Sequence, residues 1–90
     1  MKTLIINGEL MENRESLYLH LVRVFSLPAY FGNNFDALWD SLNEKDEATE
    51  IIFLNVNRTQ EQLGEYGNKL IELLEKLAKE NDNYSVSFYP

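Results

Sequence analysis

Two aspartates near the middle of the chain have a spacing that brings their carboxylates together. Asp36 and Asp40 are four residues apart in a segment with helical apolar spacing, so they lie on one helix face. The helix dipole favours Asp36 in the first turn, but gives no such support to Asp40 near the predicted helix end. Trp39 and Asn43 lie beside both carboxylates on the helical wheel. A half-exposed Trp next to unpaired acids is typical of a protein-binding surface.

Two other interpretations of this helix stay open at this point. Acid-rich helix surfaces are common, and Trp39 could simply belong to the core. Paired carboxylates also occur in hydrolases and metal sites, but this chain has one His and no Cys. It also lacks a Gly-rich phosphate loop and a nucleophile triad. We therefore expect no catalytic residue, no metal and no cofactor, and a structural role for His20.

The charge balance indicates the kind of partner. The 90 residues carry a net charge of −7, which disfavours nucleic acid and anionic membranes as partners. Residues 32–50 contain six acids and one Lys, a local net charge of −5. Such a segment attracts a basic protein surface before contact. No apolar run reaches the length of a signal peptide core or a membrane span, so we expect a cytoplasmic protein.

The apolar pattern predicts the elements that position this acidic helix. Asn13 and Asn34 are candidate N-caps of the first two helices, and Pro28 ends the first. The uninterrupted apolar run over residues 51–56 predicts a strand that is covered on both faces. Further strands are predicted over residues 2–6 and 84–89. A capping box at Thr59 and Gln62 predicts a short helical turn. A break between Gly64 and Gly67 follows, and then a longer helix is predicted over residues 70–78.

The predicted order β-α-α-β-α-α-β defines the fold class. Helical connections between strands imply right-handed parallel crossovers. We therefore expect an α/β fold with a three-stranded parallel sheet and packed helices, forming a single domain over residues 1–90.

Two stretches of the chain form a distinctive pattern. The first lies near the N-terminus and the second spans the loop before the acidic helix and the helix itself. They read Ile5-Ile6-Asn7-Gly8-Glu9 and Leu27-Pro28-x-Tyr30-Phe31-Gly32-x-Asn34-x-Asp36-Ala37-Leu38-Trp39-Asp40-x-Leu42. Both stretches resemble the barstar family, the intracellular inhibitors of barnase-type secreted ribonucleases. The resemblance extends over the whole chain in length and element order, and it implies a barstar-like fold.

The resemblance also implies roles for individual residues. Barstar-like proteins block the active site of a guanyl-specific ribonuclease with the second helix and the loop before it. The carboxylate of Asp40 would stand in for the RNA phosphate, and an Arg of the enzyme could bind it with two hydrogen bonds. Asp36 matches a second acidic contact, and Tyr30 an aromatic that lies against the catalytic His. Trp39 and Asn34 match interface residues that flank these contacts. Gly32 matches a position where the two backbones approach closely.

One position departs from the family pattern. The family uses a Glu on the last helix beside this surface, where the apolar alignment places Lys76, with Glu75 one residue earlier. A shift of one residue rotates a helix position by about 100°, so Glu75 does not automatically replace that acid. With a barnase-like partner, Lys76→Glu is expected to tighten binding. The change at Lys76 alternatively indicates a different partner.

The implied partner is a small, basic, extracellular ribonuclease of the barnase type. The chain is then a non-enzymatic, antitoxin-like immunity protein, monomeric when free and forming a 1:1 heterodimer with the enzyme. The alternative is an interaction module of the same fold that neutralises another basic toxin or binds a different basic protein. An enzyme is a third alternative, disfavoured because nucleophile, base and metal ligands are missing.

Overall fold

The computed structural model describes residues 1–90 and contains three strands and four helices. A single 3-10 turn, Gly8–Leu10, follows the first strand. The predicted order β-α-α-β-α-α-β is confirmed. The elements are β1 (Lys2–Asn7), α1 (Arg14–Phe25), α2 (Phe35–Glu44), β2 (Thr49–Leu54), α3 (Val56–Leu63), α4 (Glu65–Glu80) and β3 (Tyr84–Phe88).

The three strands form the predicted parallel sheet, in the order β1-β2-β3. Ile6 pairs with Phe53, and Phe53 pairs with Phe88, so apolar residues meet across all three strands. This face joins the apolar side chains of α1, α2 and α4 in one core cluster. Its fully buried members include Ile6, Ile51 and Phe53 from the sheet and Leu17, Leu21, Leu38, Leu42, Leu70, Leu74 and Leu77 from the helices.

The prediction that the second strand is covered on both faces was wrong. Along β2, Thr49, Ile51 and Phe53 are buried, whereas the three residues between them are only half-buried. On the same second face of the sheet, Ile5 of β1 is 51% exposed. The cause is that the core side chains of α1, α2 and α4 all gather on the first face. An apolar run alone does not reveal how many faces are covered.

Some helix boundaries depend on local capping residues, and others depend on packing between helices. Asn13 and Ser16 form a reciprocal capping box at α1, as the spacing predicted for Asn13. The capping box predicted at Thr59 was wrong, because α3 begins earlier, at Val56, and buries Thr59. The break predicted between Gly64 and Gly67 is confined to Gly64, where α3 ends and α4 begins, since Gly67 lies inside α4. A Cβ at Gly67 would lie 2.8 Å from the Thr59 carbonyl oxygen, so close packing of α3 on α4 explains this glycine.

Candidate functional site

Helix α2, which carries the predicted binding residues, is held at both ends. At its start, the Asn34 side chain accepts a hydrogen bond of 2.7 Å from the Ala37 N–H, which confirms the predicted N-cap. Near its end, the buried Tyr84 hydroxyl donates a 2.6 Å hydrogen bond to the Leu42 carbonyl. Burial raises the pKa of Tyr84, so this hydroxyl keeps its proton. Leu42 is fully buried, so α2 presents a fixed outer surface.

An aromatic cluster fixes the first turn of α2 and the loop before it. The Phe35 ring stacks on Tyr66 with centroids 4.7 Å apart, and Tyr18 lies 5.8 Å from Phe35. The Tyr18 and Tyr66 hydroxyls are hydrogen-bonded to each other. The pKa of Tyr18 is raised, mainly by burial and to a smaller extent by this hydrogen bond. Phe31 of the loop packs on Tyr18 at 6.1 Å, so the loop that bears Tyr30 is anchored from below.

The first of two surface depressions along α2, called here the loop groove, lies between α2 and the preceding loop and measures about 640 Å³. Its lining includes Leu27, Tyr30, Gly32, Asp40, Glu44 and Lys45. Tyr30 is 87% exposed, an unusual state for a large aromatic side chain, while Asp40 is exposed and forms no ion pair within the protein. The groove thus combines a free aromatic ring with free carboxylates.

The second depression, called here the helix groove, lies between α2 and α4 and measures about 380 Å³. The predicted site residues Asp36, Trp39 and Lys76 line it together. The Lys76 ammonium lies 5.1 Å from the centre of the Trp39 ring, within cation–π range. The complete lining is Phe35, Asp36, Trp39, Lys69, Glu72, Leu73 and Lys76.

Asp36 and Asp40 lie one turn apart on α2, as predicted, but each lines a different groove. Asp36 lines the helix groove and Asp40 the loop groove, so α2 forms a ridge with an acid on each slope. The helix extends to Glu44, so Asp40 lies near its middle and not near its end as predicted. The helix dipole therefore penalises Asp40 less than the sequence indicated, because the effect is confined to the terminal turns.

Three other predicted site residues lie at the margins. The Asn34 side chain is occupied by capping and by a 3.2 Å hydrogen bond to the Gly32 carbonyl. The Asn43 amide donates to the Trp39 carbonyl and accepts from the Asn81 amide, so it ties α2 to the end of α4. Glu75 is exposed but lines neither groove.

Sequence reasoning missed four charged residues that line the grooves: Glu44, Lys45, Lys69 and Glu72. Glu44 and Lys45 were not among the predicted binding residues, yet both line the loop groove. Lys69 lies in the helix groove with Lys76. The seven-residue spacing of Lys69 and Lys76 places both on one face of α4 and would have revealed this pair.

A metal site is the other chemistry that paired carboxylates can indicate. No group of three or more His, Asp or Glu side chains is arranged to hold a metal ion. No helix is both long and apolar enough to cross a membrane.

The fold and the α2 surface define a class of small α/β proteins with an acidic and aromatic helix-loop face. The family model described as "Barstar (barnase inhibitor)" matches residues 1–89. A relative from Bacillus subtilis (strain 168), named "Putative ribonuclease inhibitor YrdF", is 32% identical over 81 residues, which cover 89% of each chain. The chain therefore belongs to the barstar family, as the resemblance indicated.

Proposed function

We propose that this protein is a non-enzymatic, cytoplasmic inhibitor that blocks the active site of a small, basic, secreted ribonuclease of the barnase type. The observation that carries the proposal is the free Tyr30 ring, 87% exposed, in the same groove as the unpaired Asp40 carboxylate. Exposed aromatic anchors beside charged groups are typical of binding hot spots. Family membership supports a ribonuclease as the partner.

In the proposed complex, the loop groove faces the catalytic centre of the enzyme. The Asp40 carboxylate occupies the place of an RNA phosphate and accepts hydrogen bonds from cationic side chains of the enzyme. The Tyr30 ring covers the catalytic His, and exposed Gly32 lets the two backbones approach closely. Asp36 supplies a second acid on the other slope of α2. One inhibitor molecule, monomeric when free, occupies one enzyme molecule and so protects the producing cell.

The anchored helix gives this surface its rigidity. Because Leu38 and Leu42 are fully buried, α2 does not have to fold when the partner arrives. The aromatic cluster below the loop restrains Phe31, the neighbour of Tyr30. A preorganised surface binds more tightly because less conformational entropy is lost on association.

Titration of purified barnase with this protein tests the proposal, with RNA cleavage as one readout and calorimetry as the other. We expect loss of cleavage at one equivalent of the protein. Tyr30→Ala should weaken inhibition by about thirtyfold or more, since hot-spot truncations cost about 2 kcal/mol or more. Leu19→Ala removes another exposed apolar side chain, on α1 outside both grooves, and is the matched control. Equal inhibition by both variants would contradict the proposed surface.

A second candidate is a module of the same fold that neutralises a different basic toxin or binds another basic protein. The position of the Lys76 ammonium over Trp39 favours it, because a cation at this surface repels a uniformly basic partner. This candidate would be excluded if the protein binds barnase and if substitution of Tyr30 or of Asp40 weakens that binding.

A further inference from the structure

The helix groove differs from the loop groove in both construction and charge. Helices α2 and α4 run side by side in the same direction, since Phe35 stacks on Tyr66 at one end and Asn43 bonds Asn81 at the other. Between these two contacts the helices leave an open strip floored by half-buried apolar side chains. The floor residues are Phe35, Trp39 and Leu73.

The Lys76 ammonium has unused binding capacity. It lies over the Trp39 ring at 5.1 Å, and its one ion pair, with Glu80, is at the 4.0 Å limit. That distance is too long for a hydrogen bond, so the three N–H donors have no acceptor in the protein. The Lys76 side chain is 62% exposed. The ammonium is therefore oriented by the ring and available to a partner.

Lys76 also makes the Trp39 end of the helix groove a poor site for a cation. Lys69 lies in the same groove, two helical turns before Lys76, and forms no ion pair. Asp36 and Glu72 lie in the groove as well, so its charges alternate in sign. At the Trp39 end, however, the groove presents Lys76. A partner cation placed there would be desolvated next to a like charge, which is strongly unfavourable.

We propose that the Trp39 end of the helix groove binds a carboxylate side chain of the partner, with Lys76 as its ligand. This inference rests on the proposed function, because it concerns the same partner. Helix α2 forms the ridge between the two grooves, so a protein that covers Asp40 and Trp39 reaches both. The partner then presents cations to Asp40 and Asp36 and an acid to the Trp39 end of the helix groove. This alternation discriminates against ribonucleases that are basic at both points.

A charge-reversal scan of barnase tests this inference. Each Arg and Lys around the active site of the enzyme is replaced in turn by Glu, and binding of the inhibitor is measured without reference to catalysis. The wild-type inhibitor should bind one of these enzyme variants about tenfold more tightly than it binds barnase. The inhibitor variant Lys76→Glu should lose this gain and should bind unmodified barnase more tightly than the wild-type inhibitor does.

Two further inhibitor variants separate the local contact from net charge and from packing. Lys79→Glu changes the net charge by the same amount, but Lys79 is exposed and lines neither groove. This variant should retain the tenfold gain. Lys76→Met keeps an unbranched side chain over Trp39 without its charge and should lose most of the gain. Urea melts of all variants establish that each is folded.

The outcomes distinguish this inference from the proposed function. If no Glu replacement improves binding, or if Lys76→Glu keeps the improvement, the helix groove does not select a carboxylate and the inference is overturned. The proposed function stands in that case, provided that the wild-type protein inhibits barnase. If the wild-type protein binds neither barnase nor any variant, the proposed function itself fails, and this inference with it.

Discussion

The Nε2 atom of His20 accepts a hydrogen bond of 2.9 Å from the backbone N–H of Asn7, where β1 ends. His20 is half-buried on α1, in agreement with the structural role expected from the sequence. The contact satisfies a backbone donor at an open edge of the sheet and ties α1 to β1. It requires an unprotonated Nε2, because a protonated nitrogen would be a second donor facing the Asn7 N–H.

This contact predicts a pH-dependent stability. Burial, together with the nearby Arg23 charge, lowers the pKa of His20 below its ordinary value of 6.5. The folded state thus favours the neutral ring, and the unfolded state binds more protons. The stabilisation is fully present above about pH 6.5 and is lost as the pH falls through the lowered pKa. Urea melts between about pH 8 and pH 5 should show this loss, and His20→Gln, which retains an acceptor, should reduce it. If the free energy of unfolding falls equally with pH in the wild-type protein and in His20→Gln, the loss arises from carboxylates.

A second prediction concerns the close approach of Gly8 to α3. A Cβ at Gly8 would lie 2.1 Å from the Asn55 carbonyl oxygen and 2.5 Å from the Thr59 Oγ1. Because Thr59 is fully buried, neither group can move away freely. Gly8→Ala should therefore lower the free energy of unfolding by roughly 1–3 kcal/mol, the usual cost of overpacking. The matched control is Gly32→Ala, whose new Cβ meets the exposed Asn34 amide at 3.1 Å and the Ala37 Cβ at an ordinary 3.9 Å. Equal stability of the two variants in urea melts would refute the packing argument.

A third prediction separates stability from binding at Asp40. This exposed carboxylate has no ion-pair partner and shares a helix face with Asp36. Since Ala is the better helix former and the like-charge pair disappears, Asp40→Ala should stabilise the free protein by about 0.5 kcal/mol. The same change should weaken ribonuclease binding by roughly 2–5 kcal/mol, because cations of the enzyme are left unpaired. Denaturant melts and inhibition titrations measure the two effects.

The control for Asp40→Ala is Glu12→Ala, which removes the same charge at an exposed position outside both grooves. We expect this variant to inhibit nearly as well as the wild-type protein. Should Asp40→Ala inhibit equally well, phosphate mimicry by this carboxylate is wrong. Should it unfold the protein, Asp40 has a structural role that the contacts do not reveal.

A fourth prediction concerns the rate of association. Residues 32–50 carry six acids and one Lys, and they include α2 and the acidic turn after it. Their field steers a basic enzyme toward the site over a range of roughly 10 Å at 0.1 M salt. Stopped-flow measurements should show association that slows markedly as salt rises, while dissociation changes little. An association rate that is insensitive to salt would exclude steering by this segment.

The sequence alone determined the features that depend on local chemistry. The caps Asn13 and Asn34 were predicted because a short polar side chain before an apolar repeat bonds the first free N–H groups of a helix. The order of elements and the parallel sheet followed from apolar periodicity. The neighbourhood of Asp36, Trp39 and Asp40 followed from helical geometry, since these residues belong to one helix.

Only the tertiary structure decided features that depend on contacts between distant segments. Helix α3 begins at Val56 because Asn55 adopts the left-handed conformation while its amide bonds Asn7, 48 residues away. The placement of Lys76 over Trp39 arises because α4 packs beside α2. The same packing forms the helix groove that Asp36 lines, whereas the loop before α2 forms the groove that Asp40 lines. Periodicity specifies which residues of a helix share a face, but what that face meets is settled by the packing of the other helices against it.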